Sequence, residues 1–293
     1  MFGGRPTTIR KGTVYNMADY VISCESMADL SAEKFAEIDV KCIYFHYSID
    51  GKQHLDDLGQ SVPFSEFYQA MRDGAETKTS AIGVGEYEAF FCRYLEQGKD
   101  LIHVSLSSGI SATVNSARIA ARQAAEKYPE RTVYVVDSLA ASSGFGLLLQ
   151  GMADQRDAGM DIDELFKWTE ANKKRVQHWF FSTDLTFFIK GGRVKPVAGY
   201  VGNLLGICPL LNVDFEGKLI PREKLRGKKK VIQAIVDRMA EHAEGGEHPL
   251  FFQRVAVCQY VQLVPCILSA GVVLIRAGAG GTFKAALFCV VYD

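Results

Sequence analysis

Neither sign of charge is in excess: 33 Lys and Arg stand against 34 Asp and Glu, for a formal net charge of −1. Bulk nucleic-acid binding needs a broad basic face, and that balance argues against it. The seven cysteines are odd in number, scattered, and include no Cys-x-x-Cys pair. Free, mostly buried thiols in a reducing, cytoplasmic setting are therefore expected. The six histidines form no His-x-x-x-His pair and no cluster with cysteines, so no metal centre is expected. Also missing are the Gly-x-x-x-x-Gly-Lys-Ser/Thr loop, the Gly-x-Ser-x-Gly elbow and the Gly-x-Gly-x-x-Gly fingerprint. Met1 to Asn16 is basic and turn-rich, without the apolar block of a signal peptide, and reads as a loose terminus.

What is present is a chain of 293 residues with 48% hydrophobic and 23% charged content, long enough for a substantial core and two domains. Leu101 to Leu106 is short and apolar and reads as a buried strand, and an Ala-rich segment up to Lys127 reads as a helix stopped by Pro129. Between them lies Ser107-Ser108-Gly109-Ile110-Ser111. A turn from strand to helix leaves the first helical N–H groups unpaired at the positive end of the dipole. It can hold an anion, with Ser107, Ser108 and Ser111 adding hydroxyls, or Ser111 can serve as the helix cap and the others as the turn.

Strands alternate with helices around this point. Tyr20–Cys24, Val40–Ile49 and Thr132–Val136 read as strands, the second ending in an Asp50-Gly51 turn. Ser31 is placed to cap a short helix. Pro63 opens a helix with Phe64, Phe67, Tyr68 and Met71 on one side, Lys78–Gly83 is a loop, and further helices run from about 85 to 97, 139 to 156 and from Asp161. The pattern predicts an α/β fold with a largely parallel sheet in the first half, where ligands gather at the carboxyl ends of strands. His103, within an apolar strand, reads as a satisfied core residue. In the second half Gly191-Gly192 breaks the chain, Cys208–Val213 is a strand, Phe215–Lys218 is a hairpin turn, and a helix is read from Arg222 to about Glu244. Six bases against one acid at such a helix start oppose its dipole, which points to an anion or an acidic partner rather than to stability. Val255 to Ile275 carries no charge; it is long enough to be weighed as a membrane span, but Pro265 and its polar residues favour strand–turn–strand.

The ordered set of motifs resembles the DegV family, the bacterial fatty-acid-binding subunits of fatty acid kinase. The matching stretches are Glu25-Ser26 with Asp29-Leu30, Thr79-Ser80, Ser107-Ser108-Gly109-Ile110-Ser111, Asp137-Ser138, Gly191-Gly192-Arg193, Gly202-Asn203-Leu204-Leu205 with Pro209, and Arg226-Gly227-Lys228-Lys229. The resemblance implies two α/β domains, 16–160 and 161–293 after a flexible 1–15, with one lipid site between them. It implies a long-chain fatty acid as the ligand, no other cofactor, and a carboxylate held by Thr79 and Ser107 or Ser108. Ser26, Ser80, Ser111 and Arg193, in the same motifs, are secondary pocket candidates. A separate kinase would phosphorylate the bound acid, this chain being a carrier without catalytic residues, and Arg226, Lys228 and Lys229 are candidates for docking it.

Two departures stand out. Glu25-Ser26 replaces the family's Asp-Ser, and residues 255–293 are atypical: matching Gly281-Thr282 to the family's closing loop puts Ala277 where its histidine belongs. The alternative reading is an α/β serine hydrolase or acyltransferase acting on lipid esters through Ser108.

Overall fold

The computed structural model describes residues 7–10, 13–16, 20–182, 185–196, 206–242, 253–256, 270–277 and 284–291. Thr7–Arg10 (β1) and Thr13–Asn16 (β2) form a two-stranded antiparallel ladder. The first half is built on Tyr20–Glu25 (β3), Val40–Ile43 (β4), Asp100–Ser105 (β8) and Val133–Asp137 (β9), in the spatial order β4-β3-β8-β9. All three pairings are parallel. The parallel α/β sheet expected from the sequence is therefore present. Its crossovers include Ala32–Glu37 (α1), capped by Ser31, and the Ala-rich Thr113–Lys127 (α4). Small residues on α4 (Ala117, Ala120, Ala121, Ala124) bury against the sheet, which lets the helix approach closely.

Val40 to Ile49 is not one strand. The chain leaves the parallel sheet after Ile43, and His46–Ile49 (β5) joins a second sheet with Lys52–Leu55 (β6) and Thr77–Ser80 (β7). Polar contacts fix the break: Phe45 N–H donates to Ser26 Oγ, and Phe45 O accepts from Asp56 N–H. The turn after β5 has positive φ at Asp50 and Gly51, as a tight hairpin requires. The stretch read as a loop at 78–83 is partly strand, because Thr77–Ser80 pairs with β5 throughout. Phe64–Arg72 (α2) covers this small sheet with Phe67, Tyr68 and Met71. Val84–Leu95 (α3) packs against α4 and β8.

Ser142–Asp157 (α5) and Ile162–Asn172 (α6, with Asp161 and Glu164 forming a capping box) lead into the second-half sheet, and Thr186–Lys190 (α7) lies between its first two strands in chain order. There Gln177–Phe181 (β10), Ile207–Val213 (β11), Leu219–Arg226 (β12), Gln253–Ala256 (β13), Ala270–Ala277 (β14) and Lys284–Val291 (β15) make a mixed sheet ordered β12-β11-β10-β15-β14-β13. The uncharged run thus carries antiparallel strands at its two ends, and residues 257–269 lie outside the described residues. Among the described residues no helix is long and apolar enough to cross a membrane.

The basic stretch needs correction. Residues 219–226 are an edge strand, and Lys228–His242 (α8) starts only after Gly227. Arg222, Lys224 and Arg226 alternate outward from half-buried Pro221, Glu223 and Leu225, a period of two rather than 3.6. The edge position and a register shift between Leu210 and Leu211 accommodate Pro221. Gly227, at φ +89°, turns the chain into the helix.

Candidate functional site

Strands β3, β8 and β9 end side by side, so their carboxyl ends bring Glu25-Ser26, Ser107-Ser108 and Asp137-Ser138 to one edge of the sheet. The turn after β8 satisfies most of its own backbone. Ser108 N–H donates to Asp137 Oδ1 at 3.1 Å, Gly109 N–H to Ser107 Oγ at 3.1 Å, and the N–H groups of Ile110 and Ser111 both donate to Ser107 O at 3.0 Å. Ser111 Oγ accepts from Thr113 N–H at 3.3 Å, so it serves the helix start as a cap would. These N–H groups are not the open anion cradle that a bare helix start offers.

The hydroxyls divide accordingly. Ser107 is fully buried, and its Oγ donates to Gly217 O at 2.7 Å. Gly217 belongs to the β11–β12 hairpin turn, closed by Asp214 N–H to Lys218 O and Gly217 N–H to Asp214 O. A Cβ on Gly109 would meet Gly217 O at 2.5 Å, so both glycines are needed where hairpin and turn touch. Ser108 is exposed, and its Oγ makes no hydrogen bond among the described residues.

Thr79 lies on β7 opposite Tyr47, half-buried, with Oγ1 likewise unengaged among the described residues. No hydrogen bond joins it to Ser107 or Ser108. Ser80 is exposed on the same strand. Ser26 Oγ is taken by Phe45 N–H, and Arg193, half-buried and with its pKa lowered by burial, donates to the carbonyl of Gly191. Arg226 and Lys229 are exposed, while Lys228 is half-buried. Residues 202–205 and 281–282 lie outside the described residues; Ala277 ends β14 opposite Lys284.

Beneath the turn lies a network that the sequence does not show. Glu25 Oε1 accepts from Tyr87 Oη (2.6 Å), Ser105 Oγ (2.7 Å) and His103 Nε2 (3.2 Å), while Oε2 accepts from Leu106 N–H (2.8 Å). Tyr87 Oη also pairs with Thr113 Oγ1 (2.8 Å), and Ser23 Oγ with His103 Nδ1 (2.9 Å). Burial and the Glu25 charge push the Tyr87 phenol well above its ordinary pKa. His103 is thus a satisfied core residue, with both ring nitrogens engaged. The one available signal was an acid closing the apolar run Tyr20–Cys24.

A model of the DegV family, described as uncharacterised proteins, matches residues 20–260. The chain is 31% identical over 223 residues to a DegV domain-containing protein of Clostridium perfringens, 76% of this chain and 77% of the relative. It is 30% identical over 229 residues to a fatty acid-binding protein of Thermotoga maritima, 77% of each. The crystal structure of a DegV lipid binding protein from Thermotoga maritima matches the fold with a TM-score of 0.67, at 30% identity over 78% of each chain. With a family model that matches residues 20–260 and relatives covered over three quarters of their length, the chain belongs to the DegV family.

Proposed function

We propose that this chain is a cytoplasmic fatty-acid-binding protein with no catalytic chemistry of its own. Its bound carboxylate is held by the hydroxyls of Ser108 and Thr79, and Ser107 keeps the hairpin in place. The observation that carries this reading is the exposed, unengaged Ser108 hydroxyl at the carboxyl edge of the parallel sheet, on a turn whose backbone is otherwise satisfied. Relatives named for fatty-acid and lipid binding support the ligand class. The tail sets affinity: each buried methylene contributes about 0.8 kcal/mol, so fourteen supply roughly 11 kcal/mol gross. The head group selects carboxylate over neutral lipid through hydrogen bonds of about 1.5–3 kcal/mol each.

The site lies between the halves 16–160 and 161–293. Apolar residues of both already pack together, Phe91, Leu106 and Ile110 with Phe188, Leu211 and Leu219. A separate kinase takes the presented carboxylate to an acyl phosphate, and the exposed bases Arg226 and Lys229, with Lys228, dock it.

Native mass spectrometry of the protein purified from a bacterial host tests the reading. Co-purified fatty acid at one per chain is expected. Turnover of an activated lipid ester, abolished in Ser108→Ala, would overturn it in favour of a hydrolase.

A further inference from the structure

Glu25 grips the hydroxyl-bearing turn from both sides. Before the turn, its Oε2 accepts from Leu106 N–H at 2.8 Å. After the turn, its Oε1 accepts from Tyr87 Oη at 2.6 Å, and the same phenol oxygen is 2.8 Å from Thr113 Oγ1, on the first residue of α4. Glu25, Tyr87, Ser105, His103 and Thr113 all have 0% of their surface exposed. A carboxylate so desolvated is costly to retain for stability alone, and replacement of such buried polar clusters by apolar residues is often neutral or stabilising. What the cluster supplies is placement. Six residues separate Leu106 from Thr113, and a single group fixes both ends of the loop that presents Ser108.

We propose that Glu25 is a positioning residue for the head-group turn: through Leu106 and, by way of Tyr87, Thr113, it sets where the Ser108 hydroxyl stands. This rests on the reading of Ser108 as a carboxylate ligand and adds to it a buried group that never touches the acid. Substitution by Gln removes the charge and changes the bonding whichever way the amide is turned. With its NH₂ toward Leu106 N–H, donor meets donor; with its NH₂ toward the other side, the Tyr87 and Ser105 hydroxyls must turn to accept in place of donating to a carboxylate, and His103 Nε2–H is opposed. Asp keeps the charge and the acceptors one methylene further back.

The test compares the affinities of oleate and oleyl alcohol, measured by displacement of cis-parinaric acid from delipidated full-length protein. A merely structural group would weaken both ligands together; a positioning group changes their ratio. Wild type is expected to prefer oleate. Glu25→Gln should cut that preference by about tenfold or more, the loss of one hydrogen bond to a charged group, with alcohol affinity moving less than about twofold. Glu25→Asp should recover part of the preference. A folded Glu25→Gln with the wild-type ratio overturns the proposal. If Glu25→Gln does not fold, Tyr87→Phe, which removes the phenol's bonds to both Glu25 and Thr113 and leaves the Leu106 N–H bond to Glu25 in place, should lower the ratio by about threefold, and an unchanged ratio in that variant overturns it. A wild type that shows no preference for oleate removes the carboxylate reading itself, a result distinct from failure of the Glu25 variants.

Discussion

Ser107 Oγ donates to the carbonyl oxygen of Gly217 at 2.7 Å, joining the turn after β8 to the β11–β12 hairpin 110 residues further along the chain. Ser107 and Ser108 are adjacent and chemically identical, yet one hydroxyl is engaged in the fold and the other is open. Ser107→Ala should therefore lower stability by about 1–3 kcal/mol, the cost of leaving a buried acceptor without its donor. Ser108→Ala should leave the unfolding midpoint nearly unchanged. Gly217→Ala should destabilise more than either, because its Cβ overlaps Ser107 Oγ and its φ is +74°. Urea melts of the three variants check the order.

Two buried groups set opposing pH slopes. Burial raises the Asp56 carboxyl to about 7 and lowers the His178 imidazole to about 4, with the Ser26 hydroxyl opposing the first shift and the carbonyls of Val176 and Ala141 the second. Between about pH 4 and 7 the unfolded chain releases the Asp56 proton and the folded one keeps it, so this group's contribution falls as pH rises, by on the order of 4 kcal/mol in all. Below about pH 6.5 the unfolded chain protonates His178 and the folded one does not, so its contribution falls as pH drops towards 4, by on the order of 3 kcal/mol. The two nearly cancel in one window. Relative to wild type, Asp56→Asn should gain stability at pH 8 over pH 5, and His178→Gln should gain at pH 4.5 over pH 7. Stability measured across pH for each variant checks the signs; parallel wild-type and variant curves would refute them.

Much of the architecture was legible because it rests on local patterns. The apolar run 101–106, the Ala-rich helix to Lys127 and the capping acid Asp161 each announce their element, and each is found. The strand character of 222–226 is hidden because its alternating bases run into Lys228–Lys230, and the combined run resembles one charged helix start. The turn serines were visible as residues, but not their division of labour. Gly217, which occupies Ser107, and Tyr87, Ser105 and His103, which meet Glu25 from 62 to 80 residues away, are brought there by tertiary folding alone.

The exposed bases at the β12–α8 junction give a prediction for the partner. Reversing charge at Arg226 and Lys229 should weaken association with a fatty acid kinase subunit, mainly through a slower on-rate at low salt. Fatty-acid affinity should move by less than about twofold, since both residues sit at the β12–α8 junction, at the other end of β12 from the Gly217 turn that meets Ser107, and exposed charges contribute little to the fold. Surface plasmon resonance across a salt series, with lipid binding measured in parallel, checks both parts. Loss of lipid with retained partner binding would assign these bases to the pocket.

Calorimetric titration of oleate into the delipidated double variant Thr79→Val/Ser108→Ala tests the central claim most directly. Each substitution removes one donor from the bound carboxylate, at about 1–3 kcal/mol apiece. The account predicts a folded protein whose Kd for oleate rises by about thirtyfold or more. A folded double variant that binds oleate as tightly as wild type would place the carboxylate elsewhere and contradict the account.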